Sequence, residues 1–430
     1  MKNYDVMIAG CGPAGICAAI QAGRLGAKTL LVEKNGIAGG TITAAGIAVP
    51  GLFDAFGEQL ISGIGWELVA ETLRTEGREL PDFSREMVDA LWKYQVEINP
   101  FIFACIAEKA LLECGVEIAY HTMLAKVAEF PESWQVTLCA KEGLYDISAA
   151  MLIDCTGDGN LTALAGYQVM ADAVCQPGSA NVVLDGIDYE KINAAALSEA
   201  FLQAEAAGEI HYKDLGWFRN QVENGSFLFL QRGGTNGNHI GFINAADSPQ
   251  KSAMECAAHA SVLRAYKFLK RQKGLENISI KSFAPECGVR ESRRICGEYI
   301  MTKDDYLSGR SFDDALCYSF YYVDIHDMEK GLILENITPG TRPQVPRRIM
   351  IPQGATKLMA AGRIVSSDRP ANSCLRIQAS CMATGQAAGA NAVCALKHHS
   401  PVGGAPLDEV KEILRQHGAI VPENQESLQA

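Results

Sequence analysis

Two short, wholly apolar runs frame the start of the chain, Val6-Met7-Ile8-Ala9 and Leu30-Leu31-Val32. Runs this short and unalternating predict strands covered on both faces, as in a parallel sheet. Between them a glycine turn and a small-residue stretch opened by Pro13 predict a helix, so Tyr4 to Glu33 reads strand, turn, helix, strand. Trp66, Val69 and Leu73 then recur at helical spacing between Gly65 and Glu76, with Gly77 as the stop. Asn99-Pro100 predicts another helix start, with Ile98 and Phe103 placed to staple it and Gly115 to end it. From Val116 the period drops to two. Val116-Ile118-Tyr120, Met123 to Phe130, Trp134-Val136-Leu138 and Leu144-Ile147 predict a small antiparallel meander, which hands the chain to an apolar strand, Ala150 to Ile153.

After about Gly166 the pattern changes style. It predicts helices over Tyr189–Ala207 and Ser252–Lys270, and glycine-broken strands at Phe227 to Leu230 and His239 to Asn244. Past Pro343 the first style returns with an apolar strand in Lys357 to Arg363, then a helix from Arg376 to about Ala395. Its Ala379, Ala383, Gly385, Ala387, Ala388 and Gly389 are too small for an ordinary core stripe and predict close packing on the sheet or a cofactor. A last helix runs from Leu407 to His417. The expected fold is α/β. A Rossmann-like domain with a parallel sheet and β-meander is built from 1–165 and 344–402, an α+β domain is inserted at 166–343, and 403–430 forms a helix and tail.

The chemistry concentrates in the turns. Gly10-Cys11-Gly12-Pro13-Ala14-Gly15 lets backbone N–H groups approach a pyrophosphate at a helix N-terminus, and Glu33 ends the next strand where a ribose hydroxyl would lie. Such a pattern also occurs in turns that bind nothing; strand before, helix after and the acid at the right remove set this one apart. Gly39-Gly40-Thr41 with Gly46 forms a second small-residue loop, and Asp154-Cys155-Thr156-Gly157-Asp158-Gly159 a second strand-end turn. At 430 residues and 48% hydrophobic composition the chain can bury more than one domain's core. Its net charge of −12 speaks against nucleic acid or an anionic membrane as partner. No run spans a bilayer and Met1-Lys2-Asn3-Tyr4-Asp5 leads straight into a strand, so a cytoplasmic protein is expected. The 14 cysteines include no C-x-x-C pair, so neither a metal site nor a catalytic dithiol is expected.

With these motifs in order, the chain resembles the FAD-dependent oxidoreductase family of flavoproteins with two dinucleotide-binding domains. That family is related to fumarate reductase and succinate dehydrogenase flavoproteins, glucose-inhibited division proteins and the heterodisulfide reductase flavoprotein subunit. The carrying residues are the first glycine turn with Glu33, Gly39-Gly40-Thr41, the Asp154 to Gly159 turn, Arg290-Glu291-Ser292-Arg293-Arg294-Ile295-x-Gly297, Asp324-Ile325-His326, Ala361-Gly362-Arg363, and Arg376 with Thr384-Gly385-Gln386-Ala387-Ala388-Gly389. The resemblance implies FAD, with pyrophosphate at Gly12 to Gly15, ribose at Glu33 beside Lys34, and adenine on backbone near Leu124. It further implies isoalloxazine beside Gly39 to Thr41 and Gly46, with Thr156, Gly157, Asp158, Gly362 and Arg363 along the cofactor. A helix N-terminus at Arg376 and Ile377 would face the flavin N1 side. Relatives that attach FAD covalently do so through a histidine after the Gly-Gly pair; position 41 is threonine, so FAD is expected to be non-covalent.

The expected activity is hydride transfer between flavin N5 and a small organic substrate, with an anion as one option. Arg290, Arg293 and His326 are the candidates for its substrate face, since such a site needs a lasting cation and a group that can exchange a proton. Arg293 or Arg294 could instead pair with Glu291 or Glu298, and His326 could be a core histidine. Two alternatives stand beside this: an NAD-dependent dehydrogenase using the same first turn, and a non-redox flavoprotein or RNA-modification partner like the glucose-inhibited division proteins. The electron partner is unread, and a homo-oligomer stays open.

Overall fold

The computed structural model describes residues 1–85, 91–231, 236–241 and 244–423. Part of the strand expected over His239 to Asn244 lies outside them. In chain order the elements that position the site begin with β1 (Lys2–Ala9), α1 (Pro13–Arg24), β2 (Thr29–Val32), α2 (Ile64–Thr75) and α3 (Pro100–Glu113). Next come β3 (Glu117–Ala119), β4 (Met123–Glu129), β5 (Trp134–Ala140), β6 (Gly143–Asp154), α4 (Ala194–Ala206) and α5 (Ser248–Leu269). Last are β7 (Val323–Asp327), β8 (Gly331–Glu335), β9 (Leu358–Ala360), α6 (Arg369–Leu375), α7 (Gln378–Lys397) and α8 (Leu407–Gln416).

The central sheet runs β3-β2-β1-β6-β5-β4, with β9 beside β6. β3, β2, β1, β6 and β9 are parallel, whereas β6-β5-β4 is an antiparallel meander. Two details differ from the sequence reading. The run Val116-Ile118-Tyr120 leaves the meander and pairs parallel with β2. Leu144 to Ile153 is one continuous strand, whose first half pairs β5 and whose last residues pair β9. Because Ala9 pairs with Val32 and Asp154, and Asp154 with Ala360, the carboxyl ends of four strands come level. The next residue of each opens a motif: Gly10, Glu33, Cys155 and Ala361. In open parallel sheets this edge is where ligands sit.

The small face of α7 packs most closely on helix α1, and the helix also lies against the strands β6, β1 and β9. A Cβ on Gly385 would fall 2.1 Å from the Ala14 carbonyl oxygen, and one on Gly389 2.5 Å from that of Ala18. Asn99 caps α3 by accepting from Phe101 and Ile102 N–H. A separate core between Ala180 and Cys287 gathers Phe201, Phe227, Val262 and Phe268 from α4, α5 and their connections. Residues from Met301 to Ile337 instead pack into the main core. Within the second core, Leu228–Leu230 is a 3-10 turn and not a strand, since its three apolar side chains are buried together without a ladder partner.

Candidate functional site

The first glycine turn is built by close approach. Gly10 has φ +97°, and a Cβ there would lie 2.4 Å from the Cys155 carbonyl oxygen; one on Gly15 would lie 1.8 Å from that of Gly10. Gly12 differs. Its backbone is ordinary, with φ −83°, and a Cβ would find no protein atom nearer than Gly40 Cα at 3.8 Å. The protein's own packing therefore does not demand glycine at 12, whereas a pyrophosphate lying across the N-terminus of α1 would. Gly40, at φ +52°, faces the same gap, and Gly39 N–H donates to the Cys11 carbonyl at 2.8 Å, so the two glycine loops brace each other.

Glu33 is buried at the end of β2 and accepts from Cys11 N–H at 2.7 Å and Asn35 N–H at 2.9 Å. Burial pushes its carboxyl up, and those two bonds hold it back. Each oxygen keeps a lone pair free for a hydroxyl. Lys34 pairs with Glu286 at 2.5 Å, and Leu124 lies half-buried on β4 beside a bulge. Glu33→Ala is expected to weaken FAD retention about tenfold or more, since a charge-assisted hydrogen bond contributes about 1.5–3 kcal/mol. Titrating apoprotein with FAD checks this, and unchanged affinity in a folded variant would leave Glu33 only a brace for Cys11 and Asn35.

The second turn is held by a fully buried carboxylate. Asp154 accepts from Thr156 N–H and Oγ1 at 3.0 and 2.7 Å, and from Thr162 N–H and Oγ1 at 2.8 Å each. Arg363 donates to the Gly157 and Val289 carbonyls and to Asp158 Oδ1, so its guanidinium is spent on the turn. Arg293 is likewise spent, on the Asp158 carbonyl at 2.9 Å and Asn160 Oδ1 at 2.6 Å. Arg294 pairs with Asp172 at 2.7 Å, and Glu291 with Arg369 at 2.9 Å.

The structure brings Arg290 and His326 together, and not Arg293. Arg290 is buried; its Nη1 donates to the Pro177 carbonyl at 2.6 Å and Ser179 Oγ at 2.9 Å, and its Nη2 has no partner. Burial, reinforced by Arg376, pushes it down to about 9, which leaves it charged at neutral pH. Arg376 Nη2 donates to the Asp324 carbonyl and Oδ2, both at 3.0 Å, and its buried Nε is unpartnered. His326 Nε2 lies 3.5 Å from Asp324 Oδ1, and its Nδ1 lies 2.9 Å from His239 Nε2. Burial first, then the Arg290 charge, hold both imidazoles neutral, His326 down to about 3 and His239 to about 2. Trp217 stacks on His239 and meets His326 edge-on.

Gln378, the first residue of α7, ties this pocket to the second loop: its Nε2 donates to Thr41 Oγ1 at 3.2 Å and the Ile47 carbonyl at 2.8 Å. Its buried Oε1 is left without a donor. Ile377 lies just before it, and Gly46 is held by Asn181 Nδ2 at 2.6 Å. Sequence reasoning passed over His239, Trp217, Asn181 and Gln378. Asp324 stood in a motif it quoted, and only a carboxylate two residues from His326 signalled the role.

Aligned strand ends, a glycine turn at the N-terminus of α1 and a buried acid at the end of β2 are the geometry of the nucleotide-cofactor class of proteins. More particularly, the chain belongs to the FAD-dependent oxidoreductase family, whose model, described as FAD dependent oxidoreductase, matches residues 5–414. A 43-residue stretch is 54% identical to dihydrolipoyl dehydrogenase of Trypanosoma brucei brucei, covering 10% of this chain and 9% of that protein. Among solved structures it is similar to BexE, from a study of oxidation during BE-7585A biosynthesis, at TM-score 0.46 and 12% identity over 96% of this chain and 66% of that one. It is also similar to a geranylgeranyl bacteriochlorophyll reductase-like protein of Thermoplasma acidophilum, at TM-score 0.40 and 12% identity over 97% of this chain and 82% of that one. At those scores the structural likenesses add no argument to the family match. No helix among the described residues is long and apolar enough to cross a membrane.

Proposed function

We propose that the protein is a flavin dehydrogenase or reductase that holds FAD without a covalent link and exchanges a hydride with a small organic anion. The observation that carries this is Arg290. Two guanidinium charges, Arg290 and Arg376, meet one carboxylate, Asp324, and two histidines held neutral. A buried cation with an unpartnered nitrogen costs several kcal/mol unless an anion arrives to meet it. Arg376 is already tied to Asp324, so the open nitrogen of Arg290 is the one to hold a substrate carboxylate.

Bound FAD supplies a two-electron centre that takes or gives hydride at N5. The chain's residues do the rest. Gly12 and Gly40 admit the pyrophosphate, and Gln378 and Asn181 fix the loop of Thr41 and Gly46. Arg290 orients the anion, and His326 Nε2 exchanges a proton with it. Arg293 and Arg363 act as positioning residues for the second turn. Thr41, bonded to Gln378, offers no imidazole for a covalent flavin link, so acid precipitation should leave FAD in the supernatant.

The test is anaerobic. Photoreduced enzyme is mixed with a panel of neutral compounds and of mono- and dicarboxylates, and flavin reoxidation is followed; the oxidised enzyme is screened in parallel for bleaching. Carboxylates should react. Arg290→Ala should raise KM with FAD still bound, and His326→Gln should lower turnover by about 10²–10⁴-fold. Reaction confined to neutral compounds, or a wild-type KM in Arg290→Ala, would remove the anion from this reading.

A further inference from the structure

At the far end of α7 from Gln378, the last turn of that helix meets the start of α8. Cys394 and His398 are four positions apart, so they share one face of α7, which His398 ends. Glu409 stands in the first turn of α8. Among the described residues these three form one cluster in which a thiol sulfur, a ring nitrogen and a carboxylate oxygen all lie within 4.8 Å of one another. His398 Nε2 and Glu409 Oε2 are 2.7 Å apart. Cys394 is buried, whereas the imidazole and the carboxylate side chains are 36% and 30% exposed, so the cluster has a closed side and a side open to solvent. Cys374 and Cys381 donate to backbone carbonyls, but the Cys394 sulfur makes no hydrogen bond among the described residues.

The connection between the helices holds these groups in place. Asn391 Nδ2 donates to the Val402 carbonyl at 2.8 Å, and Arg347 to the Ala405 and Gly403 carbonyls at 2.7 Å each. α7 closes with His399 in the left-handed region at φ +48° and with Ser400 N–H reaching back to the Ala395 carbonyl at 3.0 Å.

A thiolate, an imidazole and a carboxylate are donors that zinc takes, whereas magnesium and calcium are held by oxygen. Around a tetrahedral zinc the donor atoms stand roughly 3.4–3.6 Å apart, so small side-chain rotations complete the set. We propose that Cys394, His398 and Glu409 bind one zinc ion, which leaves its fourth position to water and pins α8 to α7. On binding, the Cys394 S–H bond breaks and its proton goes to solvent; thiolate and carboxylate then balance the two charges of the ion. His398 gives a ring-nitrogen lone pair and keeps its proton on the other nitrogen. Lys397 donates to Glu409 Oε1 at 2.7 Å and orients the carboxylate while Oε2 turns to the metal. The His398–Glu409 contact given up is a partly exposed pair, whose loss costs little, and the carbonyl end of α7 favours a cation. C-x-x-C spacing does not reveal such a set, because two ligands share a helix face and the third comes from the next helix. The 20 residues of α7 span about 30 Å, so the ion takes no part in chemistry at the flavin pocket, and the site stands independently of that reading.

The experiment uses the untagged, FAD-loaded full chain, cleared of metal with a chelator and then titrated with zinc chloride. One zinc per chain should bind with a Kd of about 10 μM or tighter. X-ray absorption at the zinc edge should show one sulfur at about 2.3 Å, with nitrogen and oxygen at about 2.0–2.2 Å. Even partners outside the ligand set contribute about 10–100-fold to metal affinity, so Cys394→Ser, His398→Gln and Glu409→Gln should each weaken binding by about 10²-fold or more. Cys105→Ser, which removes an exposed thiol on α3, should leave it unchanged. Zinc should raise the melting temperature of the wild type and not that of the three ligand variants. Zinc held without sulfur, a Kd weaker than about 10 μM, or wild-type affinity in Cys394→Ser would overturn the site. If Cys394→Ser does not fold, His398→Gln and Glu409→Gln, whose side chains reach solvent, carry the same comparison.

Discussion

Gly12→Ala is expected to fold as stably as the parent and to purify with little or no flavin. The methyl group would sit 3.8 Å from its nearest protein neighbour, at a backbone conformation open to any residue. Gly12 is the N-cap of α1, where alanine is poorer than glycine, and the freedom lost by the unfolded chain, worth up to about 1 kcal/mol, offsets that. The same methyl occupies the space through which α1 would receive a pyrophosphate. Forcing an extra carbon into a close-packed contact costs about 1–3 kcal/mol, and each 1.4 kcal/mol is about tenfold in affinity. FAD affinity should therefore fall about ten- to hundredfold with the apoprotein melting temperature unchanged. Gly15→Ala is the contrast, because its methyl would land 1.8 Å from the Gly10 carbonyl oxygen and must displace the turn itself. That variant should lose stability as well as flavin. Calorimetric FAD binding and thermal melts of both apoproteins separate the cases. Full FAD affinity in Gly12→Ala would mean that no ligand lies in this cradle.

What the sequence disclosed follows from how local each cause is. Gly15 was legible because its steric demand, from the Gly10 carbonyl, acts within one turn, and Asn99 because a cap is made with residues two and three further on. Phe227 to Leu230 misled because four apolar residues satisfy either a short strand or a buried turn, and only the packing of Phe227 on Phe201 and Phe268 decides. Arg290, Arg293 and Arg363 looked alike as charges; what separates them is which carbonyls lie in reach, Pro177 for one and the Asp154–Asn160 turn for the others. His239 was beyond reach. It lies 87 residues from His326 in a glycine-broken segment with no period, so nothing local marks it.

Acid should expose the paired histidines. In the unfolded chain each titrates near 6.5, whereas in the fold His326 is held to about 3 and His239 to about 2. Between those limits the unfolded state binds a proton on each ring that the native state refuses. Native stability is therefore lost as pH falls below about 6.5, by about 1.4 kcal/mol per pH unit for each histidine. By pH 5 the pair together costs about 4 kcal/mol, a large share of the roughly 5–15 kcal/mol that keeps proteins folded. Asp54 acts with the opposite sign. Burial raises its carboxyl to about 6, so the native state takes up that proton first and gains stability as pH falls. A comparison of wild type with His239→Gln cancels this and every other shared group. The quantity to measure is proton uptake on urea unfolding at pH 5, which does not depend on a two-state transition. His239→Gln should take up about one proton fewer than wild type, and His326→Gln the same. Equal uptake in all three proteins would mean that these rings are already charged in the fold.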